Sequence, residues 1–338
     1  MARSLQLDHL AHLTTRTGLW EHALGTEPRI EHGMCVDDVA RALVVVSRIA
    51  APSDEVRTMT RTYLAFLEAA LHDDGAMHNR RNPDGTWGDE VSTDDHWGRA
   101  LWAFGTAAAH LDDALLAGAA RIAAATAMGA RSPHPRSMAY AALGAAQLLT
   151  VAPDDLQSRR VMLDARRLLR PALTDLTWPW PYERLTYANA VLPQAMLAIG
   201  RHLEAHDLEA DGLRLLGWLV EEQTFLGHLS MVPAQGRSQG DRRPAFDQQP
   251  IEVAALAEAA RTAYDLTGDR RWTDVIELCA RWFEGDNDSA VPVRDETTGG
   301  GYDGLEDGTV NQNQGAESTL AWLATVQLSQ LAALAGTA

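Results

Sequence analysis

The sequence predicts an all-α protein, a toroid of six helical hairpins or (α/α)6 barrel, with residues 1–338 forming one domain. Three observations carry that expectation. Alanine and leucine recur at helical spacing from one end to the other, with sparse strand signals. Segments with a charged face alternate with segments poor in charge. Connections are long at five of the six alternate junctions and short at the others.

In chain order, the first hairpin pairs 4–16 with 37–50, whose body RALVVVSRIA (41–50) suits a helix covered on nearly all sides. The second pairs 56–71, VRTMTRTYLAFLEAAL with one charged face, with 94–110. The third pairs 116–130 with 135–149, where SMAYAALGAAQLL carries no charge. The fourth pairs 155–170, within the charged stretch DDLQSRRVMLDARRLLR, with 185–203. The fifth pairs 209–224 with 250–266, which opens on Pro250. The sixth pairs 270–283 with 315–334, which contains STLAWLATVQL. Six solvated and six enclosed helices in alternation give the toroid, with the enclosed set lining the inside.

The connections 17–36, 72–93, 171–184, 225–249 and 284–314 all lead into enclosed helices, so they gather at one end of the barrel. Long loops in compact domains are usually functional. They hold Trp20, Trp87, Trp178, Trp180, Tyr182 and Tyr302, either rim anchors or flat surfaces for a ligand to stack on. The 72–90 stretch, with two Asp-Gly turns, reads as a small β-hairpin.

Composition excludes several functions. Hydrophobic residues at 46% and charged residues at 22% describe a chain that buries a core. Twenty-nine basic against 46 acidic residues leave a net charge of −17, which repels nucleic acid and anionic membranes. Cys35 and Cys279 make no disulfide framework or metal motif, and no apolar leader or membrane span is evident, so a cytoplasmic protein is expected. The glycine run at 299–301 lacks a phosphate-loop lysine, and 284–290 lacks the glycine and terminal glutamate of a calcium loop.

The enclosed helices open on polar clusters: CVDDVARAL (35–43), STDDHWGRALWAFG (92–105), PYERLTYANAVLPQA (181–195), FDQQPIEVAALAEAA (246–260) and NQNQGAESTLAWLA (311–324). These would put Asp37, Asp38, Asp94, Asp95, Glu183, Asp247, Glu252 and Glu317 around one cavity. A first-turn acid also complements the helix dipole, and Glu252 stands where a capping-box glutamate belongs. Five clusters on one kind of helix point further, to a neutral polyhydroxylated ligand and carboxylate acid/base chemistry. A helix N-terminus opposes protonation, whereas two adjacent acids raise one member's pKa. Asp37 is thus the expected general acid, assisted by Asp38, with Glu252 as general base and Asp95 in reserve. Expected sugar contacts are Arg29, His32, Trp97, Trp178, Trp180, Tyr182, Tyr187, His228, Gln248, Gln249, Tyr302 and Gln314, besides the remaining acids.

The segments 32–45, 94–105, 182–198, 246–260 and 299–319 resemble the six-hairpin (α/α)6 glycosidases, in particular the actinobacterial methylmannose polysaccharide hydrolases. They also resemble the helical module appended to bacterial glycosyltransferases. The resemblance implies an inverting, endo-acting cytosolic hydrolase of α-(1→4)-linked, partly 3-O-methylated mannose chains. It implies no metal or organic cofactor, and carries an acid pair drawn from Asp37 or Asp38 and Glu252 onto this chain. Alternatives are a sugar epimerase or isomerase using paired histidines on the same barrel, or a non-catalytic glycan-binding module. The oligomeric state is not given by the sequence.

Overall fold

The computed structural model describes residues 3–169 and 177–335. Twelve α-helices are present among them: α1 (Asp8–Leu13), α2 (Val36–Ser47), α3 (Asp54–Ala70), α4 (Asp95–His110), α5 (Ala114–Ala127), α6 (Pro135–Val151), α7 (Leu156–Leu168), α8 (Val191–His202), α9 (His206–Glu222), α10 (Pro250–Thr267), α11 (Arg271–Phe283) and α12 (Ala316–Ala335). The even-numbered helices pack in sequence, α2 on α4, α4 on α6, α6 on α8, α8 on α10 and α10 on α12, and α12 returns to α2 to close the ring. The odd-numbered helices pack outside them. This is the (α/α)6 toroid expected from the alternation of charged and uncharged segments, and no described helix is long and apolar enough to cross a membrane.

Three elements differ from the sequence reading. α1 is one and a half turns long because Thr14 leaves it in an extended conformation, its hydroxyl donating back to Leu10 O at 2.6 Å. α8 begins at Val191, six residues later than expected, because Asn189 Oδ1 accepts from Thr186 N at 2.9 Å and closes a turn that competes with helix. α5 lacks a charged outer face: Leu115 and Ile122 are 85% and 70% exposed. Arg170, expected as the last residue of the seventh helix, lies outside the described residues.

The inner ring is tight because glycines let helices approach. A Cβ added to Gly144 of α6 would sit 2.2 Å from Leu101 O of α4, and one added to Gly105 of α4 would sit 2.2 Å from Gly144 O. Gly144→Ala therefore lowers stability by about 1–3 kcal/mol through overpacking. Gly217→Ala in α9, where the new methyl meets nothing within 4 Å, raises it by roughly 0.5–1 kcal/mol. Equilibrium unfolding of the two variants checks the contrast.

Candidate active site

The N-termini of the inner helices and the long loops frame a cavity of about 500 Å³. On its α2 side, the strand Met34–Cys35 pairs antiparallel with Arg80–Arg81, which docks the 72–90 segment against the start of the helix. That segment does turn back on itself, Gly85 N donating to Asn82 O at 2.9 Å. Val36 N donates to Asn79 O at 2.9 Å, and Asn79 Nδ2 donates to Asp37 Oδ2 at 3.1 Å. Asp37 also pairs with Arg99 Nε of α4 at 3.1 Å, and its side chain is 23% exposed.

Asp38 sits deeper in the same wall. Arg41 Nη1 donates to its Oδ1 at 2.5 Å and Cys35 Sγ to its Oδ2 at 3.2 Å. Burial pushes its carboxyl up to about 7 despite Arg41, with Glu317 and Glu21 adding to the rise. Arg41 also reaches Glu317 of α12 at 2.6 Å, and Glu21 pairs with Arg80. Glu21, Cys35 and Asp38 offer ligand atoms within 4.8 Å of one another. Both acids are already engaged by arginines, and burial raises the Cys35 thiol well above its ordinary range, so the trio suits a neutral thiol better than a metal thiolate.

Asp247, Gln249, Ile251 and Asp303 also line the cavity. Burial raises the Asp247 carboxyl, as do Glu306 and Asp303. Burial raises Asp303 too, opposed by the Gly315 N–H, which donates to it at 2.8 Å. Tyr187 closes a third side, its hydroxyl donating to Asp95 Oδ2 at 2.5 Å.

Glu252 is 2% exposed and is not among the side chains that line this cavity, although its chain neighbour Ile251 and the nearby Gln249 are. It makes no capping box. Its Oε2 accepts from Asn189 Nδ2 at 2.8 Å and Gln223 Nε2 at 3.4 Å, while Oε1 is buried without a hydrogen-bond partner. Burial pushes its carboxyl up to about 7, partly offset by Asn189.

Two further spaces adjoin the cavity. A groove of about 890 Å³, walled by Asp94, Glu183, Tyr182 and Arg136, shares Asp95 and Tyr187 with it. Beneath it, a hollow of about 50 Å³ bordered by Val44, Tyr140, Val191, Ile251 and Ala321 opens under Arg41, Arg99 and Glu317.

Several expected sugar contacts lie elsewhere, most of them because a buried polar group takes an internal partner. Trp97 is fully buried and donates to Ala127 O at 3.2 Å. Trp180 is 3% exposed and donates to Arg184 O at 3.1 Å, and Trp178 meets Trp218 edge-on and donates to Tyr182 O at 2.9 Å. Gln248 donates to Asp288 Oδ2 at 2.7 Å and accepts from Met231 N, while His228 meets Asp288 Oδ1 at 2.9 Å. Gln314 donates to Asp295 Oδ2 at 3.0 Å, and Tyr302 packs against the core. Arg29 pairs with Glu31 on the surface, and His32 reaches the rim only through His22, ring nitrogen to ring nitrogen at 3.0 Å.

The sequence reading missed Glu21, Asn79, Arg80, Arg41, Arg99, Asp303 and Asn311, all in the cavity wall. Arg41 and Arg99 carried a usable signal, since a cation inside an otherwise enclosed helix needs a buried acid. The loop residues carried none, because tertiary docking alone brings them in.

No protein-family model matches the chain, and no curated protein matches it in sequence. Solved structures do match along almost the whole chain. A sugar epimerase from a ruminal bacterium superposes with a TM-score of 0.69 at 11% identity, covering 96% of this chain and 95% of that one. A D-mannose isomerase gives 0.68 at 10%, covering 96% and 95%. A GH76 α-mannanase from Bacteroides thetaiotaomicron gives 0.65 at 10%, covering 97% and 94%. At such identities the likeness is one of architecture, and the chain has the fold of the (α/α)6 barrel proteins.

Proposed function

We propose that the protein is a glycoside hydrolase that cleaves α-(1→4)-linked, partly 3-O-methylated mannose chains internally and with inversion, in the cytoplasm. The observation that carries this reading is the presence, at the starts of two inner helices, of two carboxyl groups that burial raises to about 7. These are Asp38 in the cavity wall, next to the more exposed Asp37, and Glu252, buried in the first turn of α10. General acid/base catalysis is most efficient when the groups titrate close to the working pH.

In this reading the acid comes from the start of α2: Asp38, raised to about 7 by burial, holds the proton, and Asp37, the more exposed neighbour, passes it to the glycosidic oxygen as the bond to the anomeric carbon breaks. For Glu252, fixed through Oε2, to act as the base, side chains between it and the cavity must part to admit a water to the buried Oε1; that water then gives up a proton there as its oxygen bonds the anomeric carbon from the opposite face. Asp95, Asp247, Asp303 and Glu317 accept from sugar hydroxyls. The apolar hollow under the acids supports a methylated sugar, since an O-methyl group brings no donor and is of that size. The epimerase alternative needs facing histidines: His96 is bonded to Met77 O and His228 to Asp288, whereas His22 in the cavity wall meets His32 at 3.0 Å, and these two are the pair that this alternative would use.

Incubation with α-(1→4)-mannan oligomers, methylated and plain, followed by NMR of product anomers, tests the reading. New reducing ends of inverted configuration are expected. Isomerised reducing ends without cleavage, or binding without products, would overturn it. Asp37→Asn and Glu252→Gln each lower turnover by about 10²–10⁴-fold with the fold intact by circular dichroism. Asp38→Asn moves the alkaline limb of the pH–rate profile.

Glu252 also sets a pH dependence of stability. Its carboxyl rises from its ordinary 4.5 to about 7 on folding. The folded state therefore binds more protons between those values, and the contribution is complete below about pH 4.5 and lost as pH rises through 7. From pH 5 to pH 8 the thermal midpoint of the native protein falls more steeply than that of Glu252→Gln, as calorimetry at the two pH values would report.

A further inference from the structure

We propose that the groove beside the cavity is a saccharide-binding extension of the site. It would take the sugar units that follow the one held among the acids, with Tyr182 and Tyr187 as their stacking platforms. The inference rests on the glycoside reading for the identity of the chain, but its geometry is separate. The groove is walled by Pro135 and Arg136 at the start of α6, by Pro181 and Tyr182 of the preceding loop, and by Leu192 of α8. It meets the cavity at Asp95 and Tyr187, so a linear ligand in one space continues into the other.

The two tyrosines are the large aromatic side chains left open there, Tyr182 at 44% exposure and Tyr187 at 40%. Both are mounted rigidly. The Arg136 guanidinium lies 4.0 Å from the Tyr187 ring centroid and donates to Thr186 Oγ1 at 2.9 Å, and the Tyr187 hydroxyl is held by Asp95. Tyr182 packs edge-on to Trp180 with centroids 6.3 Å apart, and Trp178 donates to its carbonyl at 2.9 Å. The tryptophans expected to touch sugar thus form the mount, and the tyrosines present the faces. Rings held in place before binding lose little freedom when a pyranose settles on them.

Charge agrees with a neutral ligand. Asp94, Asp95 and Glu183 are set against Arg136 and Arg184, and Asp94 is further engaged by His134 at 3.2 Å, so neither a polyanion nor a polycation is favoured. Acids at the rim accept from hydroxyls while prolines and tyrosine rings meet the apolar sugar faces.

The test compares chain lengths. Tyr182→Ala and Tyr182→Phe are assayed on an α-(1→4)-mannan trisaccharide and octasaccharide, and the same changes are made in Asp37→Asn for calorimetric titration without turnover. Tyr182→Ala is expected to raise KM for the octasaccharide about fivefold to tenfold more than for the trisaccharide, with kcat changing alike on both, and Tyr182→Phe to restore it. Equal effects on both lengths, or no effect on either, would sink the groove while leaving the hydrolase reading intact. Octasaccharide binding that depends on Tyr182, from a native protein that cleaves neither oligomer, would keep the groove and remove the hydrolase.

Discussion

A helix covered on all sides can carry charge only at its ends or in an ion pair with a neighbour, and this constraint organises the molecule. Residues such as Val39, Ala40, Leu43 and Val44 of α2 are almost fully buried, as are Ala100, Leu101 and Phe104 of α4, so the acids of the inner helices collect in their opening turns. There the backbone N–H groups are free and the dipole favours negative charge. Because the ring closes with every inner helix pointing the same way, the acids converge on one mouth, where the long loops supply the rest of the wall.

Seven carboxyl groups around one cavity would repel one another strongly, and arginines make the arrangement tolerable. Arg41 joins Asp38 of α2 to Glu317 of α12, Arg99 of α4 holds Asp37, and Arg80 holds Glu21. Farther down the axis, Arg48 of α2 pairs with Glu258 of α10 at 2.5 Å. The chain contains no lysine. A guanidinium serves this purpose better than an ammonium, since its planar fork engages two carboxylates at once without losing its proton. The same pairs tie inner helices across the ring, which links the electrostatics of the site to closure of the barrel.

How much could be read from the sequence follows from how local each signal was. The helices were legible because period and charge are written within each segment, and ends slipped where a side chain offered the backbone another partner, as at Thr14 and Asn189. The acids of α2, α4 and α12 were legible because position in a helix's first turn fixes where they emerge. Arg99 needed a different question, namely what neutralises a cation on an enclosed helix. Glu21 and Asn79 had no local signature at all. The tryptophans misled because an indole's size and its single N–H favour a buried seat with a carbonyl partner, which Trp97 and Trp180 both take.

Glu252 shows why the site cannot be divided into a chemical part and a scaffold. Its Oε2 holds Asn189, whose side-chain oxygen in turn fixes Thr186 N. Thr186 is bonded to Arg136, whose guanidinium lies over Tyr187, and Tyr187 reaches Asp95 where cavity and groove meet. Ala188, in the middle of this turn, takes a left-handed conformation at φ 44°, a strain that persists only where neighbours enforce it. The buried carboxyl therefore supports the same loop that separates cavity from groove. A change in its protonation acts on both, because a neutral Glu252 holds the Asn189 amide less strongly than a charged one does. A group proposed to take a proton from water thus also governs how firmly the platform beside it is held, joining catalysis and chain binding through one side chain.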